Sequence, residues 1–222
     1  MIKKLFILLF ISGNILYSQQ KEFSHDYILK FSALDLWTGF LYQSSTIQFG
    51  LEKGISKNLS INSELGYSLH INRKADILSI SLDNLSGFAF ETEVRKYIDE
   101  EKPNFVGQYF SIDFLYRYLD AKNHHWAYLG EDQNFYSFIE NYSTYRNECA
   151  IHLKYGYQNI AVKGFVSDFS IGIGWRYITS KSNNTYPLSL IENEFPYSKP
   201  FNTGSRSFFS ATAAIRIGWS LK

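Results

Sequence analysis

Apolar residues alternate with small, polar or charged ones through the last fourteen positions before the terminal lysine, Phe208 to Leu221. Phe209, Ala211, Ala213, Ile215, Ile217, Trp219 and Leu221 share one face; Ser210, Thr212, Ala214, Arg216, Gly218 and Ser220 share the other. A period of two marks a strand, because successive side chains leave a pleated backbone on opposite sides. Seven earlier segments repeat the pattern: Tyr27 to Trp37, Thr46 to Lys53, Leu59 to Leu69, Gly87 to Tyr97, Gly107 to Tyr118, Asn147 to Tyr157 and Asp168 to Tyr177. Each is near the ~9–11 residues with which a tilted strand crosses a hydrocarbon layer.

The connections alternate as well. Residues 38–45, 72–86, 119–146 and 178–207 are mostly long, polar and rich in tyrosine. Residues 54–58, 98–106 and 158–167 are shorter and contain turn formers such as Gly54, Asn58, Pro103 and Asn104. Long loops on one side and short turns on the other fit an all-β, eight-stranded antiparallel up-and-down transmembrane β-barrel, with short periplasmic turns and long extracellular loops.

A soluble lipocalin-like binding barrel is the alternative, with an apolar interior and a polar exterior. Three features favour lipid outside. The polar face is rich in Gly, Ala and Ser, which a narrow lumen accepts. It also holds both charge signs: Glu52, Glu64, Glu91, Glu93, Asp113 and Glu148 against Arg95, Arg117, Lys154, Arg176 and Arg216, with His152 among them. Such groups can pair inside a small barrel, which makes their burial tolerable. Finally, Trp37, Tyr67, Trp175 and Tyr177 fall near one set of strand ends, and Tyr97, Tyr155, Tyr157 and Trp219 near the other, as two aromatic girdles would.

Composition agrees. Aromatics make up 18% of the chain, with 17 Tyr and 19 Phe. Lys3 and Lys4 followed by a short apolar run, Leu5 to Ile11, read as a secretion signal over residues 1–18, leaving 19–222 as the barrel domain. Its removal takes the net charge from +1 to −1, which argues against a nucleic-acid partner. The one cysteine, Cys149, allows no intramolecular disulfide.

Two segments bear a family likeness: Ile47 to Tyr67 (IQFGLEKGISKNLSINSELGY) and Phe90 to Tyr118 (FETEVRKYIDEEKPNFVGQYFSIDFLYRY). In the second, Glu93, Arg95 and Tyr97 precede a turn with Pro103, and Gly107 and Tyr109 open the next strand. On these residues the chain resembles the uncharacterised small outer-membrane barrels of Gram-negative bacteria, and more broadly the OmpA-like eight-stranded barrels. The resemblance implies a fold and an outer-membrane location with both mature termini periplasmic; it implies no activity. Many such barrels end in an aromatic residue, whereas this chain ends Trp219-Ser220-Leu221-Lys222.

Chemistry candidates are few. The inward charges read as a register-fixing salt-bridge network rather than as an acid–base pair. His152 could serve a hydrolase with a serine and an acid, but the strand pattern turns it away from lipid. The stretch with His124, His125, Trp126, Tyr128, Phe135 and Tyr136 reads as a loop suited to protein or glycan contact. No phosphate loop or metal-ligand spacing is present, so no cofactor is expected. The expectation is a non-enzymatic barrel in contact with outer-membrane lipid and lipopolysaccharide. It would be structural or bind a protein or glycan through its outer loops. The alternatives are an outer-leaflet lipid-modifying enzyme and an accessory subunit of an outer-membrane complex.

Overall fold

The structure is a computed structural model that describes residues 27–32, 44–70, 80–98, 105–129, 136–161, 163–183 and 203–221. The expected signal segment, Trp37 and Phe135 lie outside the described residues. Eight strands form one closed antiparallel barrel in chain order: β1 (Tyr27–Ser32), β2 (Ser44–Ser56), β3 (Leu59–His70), β4 (Ile80–Tyr97), β5 (Gly107–Leu129), β6 (Tyr136–Ile160), β7 (Phe165–Ser182) and β8 (Gly204–Leu221). The ring closes where β1 pairs with β8.

Register sets the shape. Pairing followed once around from Leu221, through Tyr27, Lys53, Ile61, Val94, Ile112, Leu153 and Ile173, returns to β8 at Ala211, ten residues from its start. Eight strands offset by ten residues tilt by about 40° to the axis. The 12 residues of β3 then rise about 30 Å along the axis, the thickness of a bilayer core.

The alternation sorts side chains as the pattern requires. Phe49 and Leu65 are 64% and 67% exposed, while Arg95 and Glu93 are fully buried. Phe110, Ile112, Ile151, Leu153, Ile171, Ile173, Trp175 and Phe209 also stand on the outside. Each large apolar side chain left in water would forgo about 1.5–3 kcal/mol. The distribution is the inverse of a lipocalin-like barrel. Tyr67, Trp175 and Tyr177 are exposed towards the long-strand end; Tyr155 and Trp219 are exposed towards the short-turn end, with Tyr157 half-buried beside them. Tyr97 departs from this scheme. Sharing the parity of Arg95, it turns into the lumen and donates a hydrogen bond to Glu52 at 2.8 Å instead of joining the girdle.

The largest correction concerns lengths. Residues expected as the long connection 119–146 extend β5 and β6 to 23 and 25 residues, paired continuously from Gly107↔Gln158 to Leu129↔Tyr136. Strand β4 begins at Ile80, inside the expected 72–86 loop, and β7 and β8 reach into the expected 178–207 loop. Beyond the apolar belt both faces of a strand can be polar, and alternation no longer signals pairing. At the other end the turns are tight. Gly164 takes a φ of 82° in the bend between β6 and β7, donating its N–H to the Ala161 carbonyl.

An apolar plug closes the short-turn end: Ile28, Tyr97, Phe105, Val106, Tyr109, Ile160 and Val166. Phe105 sits at a φ of 64°, a conformation rare outside glycine. Its ring lies so close to Gly54 that an added Cβ there would fall 2.3 Å from it.

Candidate functional site

Above the plug lies a charged layer to which all eight strands contribute. From β1, Lys30 reaches Glu52 on β2 at 2.7 Å and Asp168 on β7 at 2.8 Å. From β4, Arg95 binds Glu93 at 2.6 Å and Asp168 at 2.8 Å, with its guanidinium 4.6 Å from the Tyr109 ring centre. From β8, Arg216 pairs with Glu64 on β3 and with Glu91 on β4 at 2.8 Å. Lys154 on β6 joins Glu91 at 2.7 Å and Asp113 on β5 at 3.1 Å. Every one of these groups is buried. The lumen is filled at this level, as expected for eight strands.

Glycines make the room. A Cβ on Gly156 would stand 2.3 Å from the Tyr109 ring, whose hydroxyl donates to Asp168 at 2.7 Å. One transverse row uses the same device: Asp113, His152, Gly174 and Ser210 are successive register partners on β5 to β8. His152 spans the glycine, with Nδ1 2.9 Å from Asp113 Oδ2 and Nε2 2.9 Å from Ser210 Oγ. The order acid, imidazole, hydroxyl is that of a hydrolytic triad. All three face the lumen, however, and Ser210 is 8% exposed.

The remaining expected charges lie apart, towards the long-strand end. Glu148 is buried and pairs with Arg146 at 2.9 Å and Arg176 at 2.8 Å; Arg117 is its register partner on β5. The strand pattern sets Arg117 near Glu91 and Glu93; Lys154 and Arg216 take those carboxylates instead. The residues expected on an outer loop lie on strands. Register sets His124 opposite Asn141, His125 opposite Glu140, Trp126 opposite Ile139, Tyr128 opposite Ser137 and Tyr136 opposite Leu129.

A family model described as a protein of unknown function, DUF3575, matches residues 6–219. The chain belongs to the DUF3575 family. Among solved structures, the crystal structure of Acinetobacter baumannii CarO is similar to this DUF3575 chain at 10% identity and a TM-score of 0.42, covering 91% of this chain and all of that one. No curated protein matches it.

Three members of the charged layer escape a strand-by-strand reading. Lys30 is legible as inward-facing but has no visible partner in the sequence. Asp168 stands at the edge of its expected strand. Gln158, expected in a turn, donates to the Phe105 carbonyl at 2.8 Å and to Glu52 at 3.1 Å, tying plug to charge. The signal that could have found them is parity: Lys30, Gln158 and Asp168 keep step with Ser32, Lys154 and Ser170.

Proposed function

We propose that the protein is a non-enzymatic outer-membrane barrel that holds the β5–β6 ribbon outside the cell to bind a surface protein or glycan. The observation behind this is a mismatch of lengths. A strand of 12 residues suffices for the bilayer core, yet β5 has 23 residues and runs for about 75 Å along its own length. Among the described residues, β7 pairs with β6 as far as Thr144, and β4 follows β5 as far as His125. Beyond these pairs the ribbon continues with Trp126, Tyr128, Tyr136, Phe138 and Tyr142, residue types favoured at recognition surfaces. The apolar exterior would contact membrane lipid and lipopolysaccharide, and the short-turn end with both mature termini would be periplasmic.

The first test is gel mobility, boiled against unboiled, of protein from the outer-membrane fraction. A heat-dependent shift is expected; soluble periplasmic protein would overturn the reading. The second is in-cell photo-crosslinking from Trp126 and Tyr128. A discrete surface adduct, lost when residues 124–141 are replaced by a short turn in a barrel that still shifts, is expected. Its absence would remove the binding role while leaving the barrel.

The row Asp113–His152–Ser210 favours a second reading, a lipid-modifying hydrolase. It requires an acyl chain to reach Ser210 through the lumen and donors for an oxyanion beside it. Labelling by a fluorophosphonate that disappears in Ser210→Ala would establish it; an unlabelled folded barrel would exclude it.

A further inference from the structure

The long-strand mouth of the lumen has the wrong charge balance to be a salt-bridge network. Among the described residues, the inward positions there bring four guanidinium groups and one carboxylate. Arg117, Glu148, Ile178 and Arg206 are successive register partners on β5 to β8. Arg146 is one inward position above Glu148 on β6, and Arg176 one inward position below Ile178 on β7. The arginines therefore surround a patch whose centre is Glu148 and Ile178, both buried. The carboxylate holds Arg146 and Arg176. Among the described residues, the inward positions that flank and face the arginines are neutral: Leu119 and Ala121 above Arg117 on β5 pack with Leu85 on β4, and Thr46 and Ser68 hydrogen-bond to each other at 2.9 Å.

Two independent features show donors in wait of an acceptor. The Nε atoms of Arg117 and Arg176 are buried without a hydrogen-bond partner. So is the hydroxyl of Ser180, which is 2% exposed and opposite Arg146 in register. Buried polar groups are normally satisfied, and like charges are normally kept apart. One kind of guest relieves both conditions: an anion rich in acceptor oxygens. Guanidinium forks match phosphate in shape, and an excess of three positive charges favours a dianion over a single carboxylate. At the side chains of Arg146 and Arg176, 14% and 22% exposure leaves the patch open to the mouth.

We propose that the mouth of this barrel is a phosphate-binding site formed by Arg117, Arg146, Arg176, Arg206 and Ser180, with Glu148 as the internal counterion that a phosphate group displaces. The site is distinct from the ribbon, and its test does not depend on any partner there.

The probe is inorganic phosphate, titrated calorimetrically into the full-length folded protein in detergent micelles at constant ionic strength. Saturable binding at one site per barrel is expected, with chloride unable to replace it. The double variant Arg117→Ala, Arg206→Ala is expected to bind at least about tenfold more weakly. Glu148→Gln is expected to bind about tenfold more tightly, because its two arginines lose their resident acceptor. Phosphate is also expected to raise the temperature of the heat-dependent gel shift more in Glu148→Gln than in the native chain. Absence of saturable binding, undiminished binding in the arginine double variant, or weaker binding in folded Glu148→Gln would each overturn the proposal. Should Glu148→Gln fail to fold, the double variant still decides. Competition by a phosphorylated glycolipid in the micelles, absent for its dephosphorylated form, assigns the phosphate to a lipid headgroup. Competition by soluble phosphate esters alone assigns it to a solute. Both outcomes support the site.

Discussion

The two ends of one lumen treat charge in opposite ways. Near the short turns Lys30, Arg95, Lys154 and Arg216 lie among Glu52, Glu64, Glu91, Glu93, Asp113 and Asp168, sealed off at that end by an apolar plug. Near the mouth four arginines surround Glu148, which pairs with two of them, and all four stay partly in reach of water. Both ends set cations against carboxylates; partner count and burial differ. Desolvated charge is stable only when its partners are in place, whereas a hydrated excess remains available to a guest. In a filled barrel, therefore, an excess of like charge still in reach of water marks a site more clearly than buried charge does.

That contrast can be broken experimentally, beginning with the sealed end. Arg95→Ala removes the cation that Glu93 and Asp168 both bind closely, leaving Glu93 with Arg216 at 3.7 Å, and is expected to destabilise the barrel by about 3–5 kcal/mol. The readout is the urea midpoint of the heat-dependent gel shift in lipid vesicles; an unchanged midpoint would dissolve the distinction between the ends. Phe105→Ala empties the seat above Gly54 and is expected to cost about 3 kcal/mol by the same assay. Gly156→Ala drives a methyl group into the Tyr109 ring, with an expected loss of about 1–3 kcal/mol. Replacing Tyr109 by Leu in the same chain is expected to recover part of that loss, since the closest collision is with the ring and the remainder is with the Phe169 carbonyl. The smallest effect belongs to the mouth. Arg206→Ala, which relieves repulsion and breaks no pair with Glu148, is expected to stay within about 0.5 kcal/mol of the native chain. A large loss there would show the mouth to be as structural as the plug.

Alternation made much of this legible from the residues alone. The inward facing of Glu64 and Arg216 and the outward facing of Leu65 and Leu153 follow from parity, because a barrel with one apolar and one charged face punishes any slip of one residue. The tips of β5 and β6 were not legible. Segments such as Lys122-Asn123-His124-His125 carry polar residues at both parities, so nothing in the pattern distinguishes a paired ribbon from a loop. Tyr97 misleads because an aromatic at a strand end suits an interface, and only its step with Arg95 reveals the lumen. The partners were hidden for a different reason. Lys30 meets Asp168 only across the β1–β8 seam, and Asp113, His152 and Ser210 fall in one row only through the registers of β5 to β8. Parity is local to one strand; register belongs to pairs of strands.

Closure of the ring has a consequence for how the molecule comes into being. The β1–β8 ladder joins the first described strand to the last, and Lys30 needs acids from β2 and β7 at once. An open sheet supplies only the first. Lys30 therefore gains both its acids only once β1 and β8 have paired. Contacts so distant along a chain form slowly. A half-made barrel would carry its misfit at the seam, where the two unpaired edges and the waiting lysine stay open until the ring closes.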